Sequence, residues 1–184
     1  MKRMFDFTIA LMLLLLAAVP MLIIATAIRL TSRGPAIHWS ERVGKNNVIF
    51  KMPKFRTLRL GAPDVATHLM KDVETYLTPF GDFLRTTSLD ELPQLWSVLK
   101  GDMSLVGPRP HEPHEVAKYQ KSHRKLLNIK PGITGMAQVS GRSDLSWEEE
   151  VRLDTLYIED WSPWLDLIIL LKTPWIVLRR KGAK

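Results

Sequence analysis

The chain has 184 residues and no cysteine, so it is long enough for one compact domain and excludes disulfides, thiolate metal sites and cysteine nucleophiles. Its net charge of +7 is uneven: residues 1 to 60 hold ten Lys or Arg against Asp6 and Glu41, a balance of +8, while the other 124 residues hold 16 basic and 17 acidic, a balance of −1. One basic surface in the first third is expected rather than a uniformly basic protein, and four of the six tryptophans fall after residue 146.

Residues 7 to 28, FTIALMLLLLAAVPMLIIATAI, are apolar apart from Thr8 and Thr26. As a helix this stretch is about 33 Å long, enough to cross a hydrocarbon core of about 30 Å, so membrane contact is expected. Three arrangements fit: a cleaved signal peptide, a straight span, and a helix that enters and returns. The basic Lys2 and Arg3 and the cleavage-like ATA at 25 to 27 suit the first; Pro20 and the long apolar run past it do not. Basic residues flank both ends, with Arg29, Arg33, Arg42 and Lys45 following the segment, which draws both ends to the cytoplasmic face. Pro20 deletes an internal hydrogen bond and is expected to kink the helix. On these residues a re-entrant helix and a straight span stand level.

Two short strands are predicted at AIHWSERV and NVIFKM, joined by the turn-forming GKNN. In KMPKFRTL, Lys54 and Arg56 are two apart, so an extended chain points both cations one way. Helical patterning follows in VATHLMKDVETYL, LPQLWSVLKG, PHEVAKYQKSHRKLL and SWEEEVRLDTLYIEDW; the last has Ser146 as a cap and three acids in its first turn. No large parallel sheet is expected, which argues against a doubly wound nucleotide-binding fold.

The segment SLDELPQL sets Asp90 beside Glu91 just ahead of Pro93, which is tolerated only near a helix start. One reading is a capping box, with Ser88 as cap and Glu91 reaching back. The other is chemical. A helix start attracts phosphate and would hold a carboxylate ionised; Arg85 precedes the pair, and Arg109 follows in GPRP, fixed by Pro108 and Pro110. A carboxylate can attack phosphorus to give an acyl phosphate, and its neighbour can help hold a magnesium ion. Downstream, KPGITGMAQVSGR offers glycines for close backbone approach, with Gln138 and Arg142. HEPHE, residues 111 to 115, has the wrong spacing for a metal site and reads as exposed helix-start residues. At the C-terminal end, Trp164 to Leu178 is too short to span; with Trp at both ends and Arg179, Arg180 and Lys181 beyond, it suits a helix in the headgroup layer, an ordinary amphipathic core helix being the alternative.

Taken in order, KFRTL, LRTTSLDELPQLWSVLKGDMSLVGPRP, KPGITGMAQVSGR, WEEEVRLDTLYIEDWSPWLDLIILLKT and the hydrophobic N-terminal helix resemble the bacterial sugar transferases, the monotopic polyprenyl-phosphate phosphoglycosyl transferases. The resemblance covers nearly the whole chain. It implies transfer of a sugar phosphate from a UDP-sugar to undecaprenyl phosphate, with release of UMP, at the cytoplasmic face of the bacterial inner membrane. Asp90 maps onto the nucleophile and Glu91 onto the Mg2+-linked carboxylate, with the option that Asp90 shares the ion. Lys54, Arg56, Arg85 and Arg109 map onto the family's basic positions, and Gln138 and Arg142 join them as candidate phosphate or nucleotide contacts. The family's re-entrant helix breaks at a Ser-Pro pair where this chain has Val19-Pro20, and Met136, Ser140 and His111 stand where Trp, Asn and Glu are frequent.

The expected fold is mostly α with a small β-hairpin. It is one membrane-embedded domain, with a membrane helix over 1–33 and a body over 34–184 that ends in an interfacial helix, in the short form without the extra membrane helices of long members. Expected partners are the UDP-sugar, undecaprenyl phosphate and membrane lipids; a second copy and downstream glycosyltransferases are candidate protein partners, and nucleic acid is not expected. Two rival classes, a tethered nucleic-acid binder and a scaffold for glycan enzymes, both predict that Asp90→Asn leaves function intact.

Overall fold

The computed structural model describes residues 1–63, 73–120 and 123–179. Helix α1 (Lys2–Thr31) is unbroken through Pro20 and, at 30 residues, is about 45 Å long. Among the described residues it is the one helix long and apolar enough to cross a membrane. Its contact face returns to the body twice. Asp6 and Ala10 are buried near one end, with Ile9 and Leu14 against the main core; Ile28 is buried near the other, with Met21, Ile24 and Ala25 beside Phe55 and Leu84. Between these footholds Leu15, Leu16 and Val19 are exposed.

Strands β1 (Ile37–Val43) and β2 (Ile49–Phe55) form the expected antiparallel hairpin around a 3-10 turn at Lys45–Asn47. After α2 (Val73–Tyr76) and α3 (Gly81–Thr86), a 3-10 helix at Leu89–Gln94 runs into α4 (Leu95–Lys100), which ends at Gly101 with φ +95°, a left-handed cap that glycine adopts freely. Strand β3 (Ser104–Val106) pairs in parallel with β4 (Gly132–Thr134), a second sheet that three-residue strands gave no pattern to predict. Here Gly107 and Gly132 lie backbone against backbone, and a Cβ on either would collide with main-chain atoms of the other segment. The glycines of GPRP and KPGITG therefore hold two motifs together.

Helices α5 (Pro113–Val116), α6 (Met136–Ser140), α7 (Trp147–Glu159) and α8 (Pro163–Arg179) complete the body. Ser146 caps α7 as expected: its hydroxyl accepts from Glu149 N at 3.3 Å, and Glu149 Oε2 accepts from Ser146 N at 3.1 Å. Among the described residues, the segment from 113 to 127 does not form the one long helix expected. The chain forms α5, then a 3-10 helix at His123–Asn128, because Tyr119 turns in to join His111 and Trp147 in an aromatic cluster over Leu126 and Val151. Most of the helix expected at residues 65 to 77 lies outside the described residues, as do Arg180 and Lys181.

The core is shared by α1 (Ala10), β2 (Phe50, Met52), α4 (Leu95, Val98), β3 (Leu105, Val106), α7 (Tyr157) and α8 (Ile169). Helix α8 has one face in the core and one exposed. Asp166 and Ile169 are buried, while Trp164, Leu167, Leu171, Trp175 and Leu178 form an exposed stripe at helical spacing.

Candidate active site

The adjacent acids sit in the first turn of the 3-10 helix, reached through Ser88, whose backbone is left-handed at φ 56°. Ser88 stands at the N-cap position, but its side chain makes no capping hydrogen bond. Its hydroxyl accepts a hydrogen bond from Arg142 at 2.7 Å, and Glu91 is drawn away to Lys54, with Nζ 2.7 Å from Oε1. The capping box fails because a cation competes for each of its side chains. Arg142 is itself left-handed at φ 56°, so two non-glycine residues in this sparsely used conformation are tied to each other across 54 positions of sequence.

Lys54 comes from the end of β2, which lies along the 3-10 helix. Arg85, from α3, donates from Nε to Thr57 Oγ1 at 2.9 Å and acts electrostatically on Asp90. Arg109 is exposed; its amide donates to Asp154 Oδ2 at 3.1 Å, and its charge is felt at Glu91. Four of the predicted basic residues, Lys54, Arg85, Arg109 and Arg142, thus act on the acidic pair. Arg56 does not share Lys54's direction. It is buried and donates to the carbonyls of Arg33 at 2.6 Å and Ser32 at 3.1 Å, closing the C-terminal end of α1. Gln138 lies on α6 with its buried Oε1 unpaired among the described residues.

Burial, reinforced by the charge of Glu91, pushes the Asp90 carboxyl up to about 6, against the pull of Lys54 and Arg85. The expectation that a helix start would hold it low is corrected, since desolvation outweighs what one short 3-10 turn offers. Burial acts on Glu91 in the same sense, but the charge and hydrogen bond of Lys54, with Arg109 and Arg142, outweigh it and hold Glu91 below its usual value. The pair is therefore split: Glu91 is a fixed anion on Lys54, and Asp90 is a carboxylate only partly neutralised by its surroundings. Two adjacent carboxylate oxygens of this kind fit a hard divalent cation such as magnesium.

Sequence reasoning did not foresee the contacts that tie the start of α1 to the body. Asp6 accepts from Ser104 Oγ at 2.7 Å; Lys2 pairs with Asp166 at 2.6 Å; Arg3 donates to the carbonyls of Val98 and of Leu99, the latter at 2.7 Å. Their only signal was charge inside or beside an apolar helix.

All of these residues lie within a stretch, 1–180, that matches the profile of the bacterial sugar transferases. The chain belongs to the bacterial sugar transferase family. It is 43% identical over 195 residues to the galactosyl transferase CpsE of Streptococcus agalactiae, covering 100% of this chain and 43% of that protein. It is 40% identical over 198 residues to the undecaprenyl-phosphate galactose phosphotransferase of Salmonella typhimurium, covering 100% of this chain and 41% of that one. The chain spans about two fifths of the length of these two relatives. A shorter family member, the sugar transferase EpsL of Bacillus subtilis, is 41% identical and is covered over 90% of its length.

Proposed function

We propose that this family member moves a hexose 1-phosphate from a UDP-sugar to undecaprenyl phosphate, in polysaccharide synthesis at the cytoplasmic face of the bacterial inner membrane. The observation that carries the reading is Asp90, a carboxylate beside a lysine-paired Glu91 and under the influence of Lys54 and Arg85, at the foot of a membrane-sized helix. Relatives named for galactose and glucose support a hexose as the cargo.

In the first half-reaction an Asp90 oxygen attacks the phosphorus that carries the sugar. The new bond is an acyl phosphate; the bond that breaks joins this phosphorus to the bridging oxygen, whose electron pair leaves with UMP. In the second, a phosphate oxygen of the polyprenyl acceptor attacks the same phosphorus and returns Asp90 as a carboxylate. Arg85, Arg109 and Arg142 offset the charge of an approaching pyrophosphate, and Lys54 keeps Glu91 in place. Magnesium, when bound by Glu91 with or without Asp90, would supply further positive charge at the phosphates.

The topology follows the same logic. Both ends of α1 are bonded to one body, Lys2 and Arg3 at the first and the Ser32 and Arg33 carbonyls at the second, which supports a re-entrant, monotopic helix over a straight span. The exposed stripe of α8 suits the headgroup layer beside it.

The test is a single-turnover experiment. UDP-sugar alone should release UMP in a burst of one equivalent per active site, and mass spectrometry should find a hydroxylamine-labile phosphosugar on the peptide containing Asp90. Steady turnover by Asp90→Asn, with no adduct on the wild-type chain, would sink the proposal.

A further inference from the structure

A second cluster of ligand-type side chains lies outside the acidic pair. One ligand atom each from His111, Glu150 and Asp154 lies within 4.8 Å of the others. His111 is 6% exposed and Asp154 1%. His111 Nε2, Glu150 Oε1 and Asp154 Oδ1 are all buried without a hydrogen-bond partner among the described residues. Unpaired buried polar atoms are costly one at a time, so three of them in one place mark a missing common partner.

The arrangement narrows what that partner is. Glu150 and Asp154 are four apart on α7 and so share one face of it, and His111 meets them from the segment after GPRP. His111 Nε2 and Glu150 Oε1 are 3.4 Å apart, about the separation of two ligands that each lie about 2.1 Å from a tetrahedral ion. Two carboxylates and a neutral imidazole carry the charge that a dication cancels. The other imidazole nitrogen, Nδ1, faces Glu115 Oε2 at 3.6 Å, the outer carboxylate that commonly orients a metal-bound histidine. An imidazole in the set favours zinc over magnesium.

We propose that His111, Glu150 and Asp154 form a structural divalent-cation site of the zinc class that locks α7 to the loop carrying Arg109. The lock is direct, since the second oxygen of Asp154 already accepts the Arg109 amide. The site is separate from the Asp90–Glu91 pair and does not rest on the reaction assigned to it.

The full-length chain in detergent, carrying Asp90→Asn and Glu91→Gln so that the acidic pair cannot contribute, is stripped with chelator and dialysed against micromolar free zinc. Elemental mass spectrometry should then find one zinc per chain, and zinc should raise the thermal midpoint. His111→Gln and Glu150→Gln in the same background should lose the zinc and the thermal response, and Glu115→Gln should weaken retention about tenfold. A parent chain that retains no zinc overturns the site whatever the variants do. Zinc bound equally by a folded Glu150→Gln chain also overturns it.

Discussion

Asp90 and Glu91 are chemically alike and adjacent, yet their surroundings give them opposite characters. Lys54 holds Glu91 down, whereas burial and Glu91's own charge hold Asp90 up, at about 6. If ionised Asp90 is the attacking group, the UMP burst rate should fall tenfold per pH unit below about 6. Glu91→Gln removes one charge that raises Asp90 and frees Lys54 to act on it alone. The residual burst should therefore keep its rate to lower pH than the wild type; an unmoved acid limb would remove Asp90 from the titration. For stability the sign is reversed. A carboxyl raised in the folded state binds its proton more readily than in the unfolded chain, so this group makes folding more favourable as pH falls from about 6 toward 4. Asp90→Asn should flatten that slope in a melting series. The Ser88–Arg142 contact makes a further residue-scale prediction. Arg142→Ala should weaken turnover by about 1.5–3 kcal/mol through loss of a charge-assisted bond. Ser88→Gly, which keeps the left-handed turn, should be milder than Ser88→Val, which cannot adopt it without strain, as read by burst rate and melting point. At this scale the sequence exposed the charges but not their pairings. Lys54 and Arg56 read as equals, and only tertiary contact sends one to Glu91 and the other to the end of α1.

Elements with a strong local code were legible. The hairpin follows from two alternating runs and GKNN, and α7 from a serine cap followed by three acids, because in each case the determining residues are neighbours in sequence. The segment from 113 to 127 was misread because its helical spacing is real, but Tyr119 gains more by packing against His111 and Trp147 than by continuing a helix. His111 was misread with it, as exposed, when it is buried. Helix α8 carries two codes at once, a core face with Asp166 and Ile169 and an exposed face from Trp164 to Leu178. Charging only the exposed face should separate them. Leu167→Glu with Leu171→Glu should leave the unfolding free energy in detergent within about 0.5 kcal/mol of wild type, as for exposed positions, while weakening binding to anionic vesicles. Unfolding by this pair would assign the stripe to a protein contact instead.

For the whole molecule, the question is how a 30-residue apolar helix relates to a body that grips it near both ends. A straight span would carry one of those grips across the membrane. Single cysteines at Met4 and Arg33, both exposed, should therefore resist an impermeant maleimide in intact cells and react after permeabilisation. Labelling of either one in intact cells would establish a span. The apolar stretch and its basic flanks were plain in the sequence; its docking was not, because the groups that dock it are far away along the chain. That separation has a temporal side. Lys2 pairs with Asp166 across 164 positions, and Asp6 with Ser104 across 98. At the usual pace of synthesis, residue 166 follows residue 2 by roughly 8 to 30 s. If this helix enters lipid as it leaves the ribosome, Asp6 meets Ser104 once β3 is made, and Lys2 meets Asp166 only when the final helix arrives. On that order, anchoring would precede completion of the fold, and a nascent chain held by α1 would still lack the last grip on its first residues.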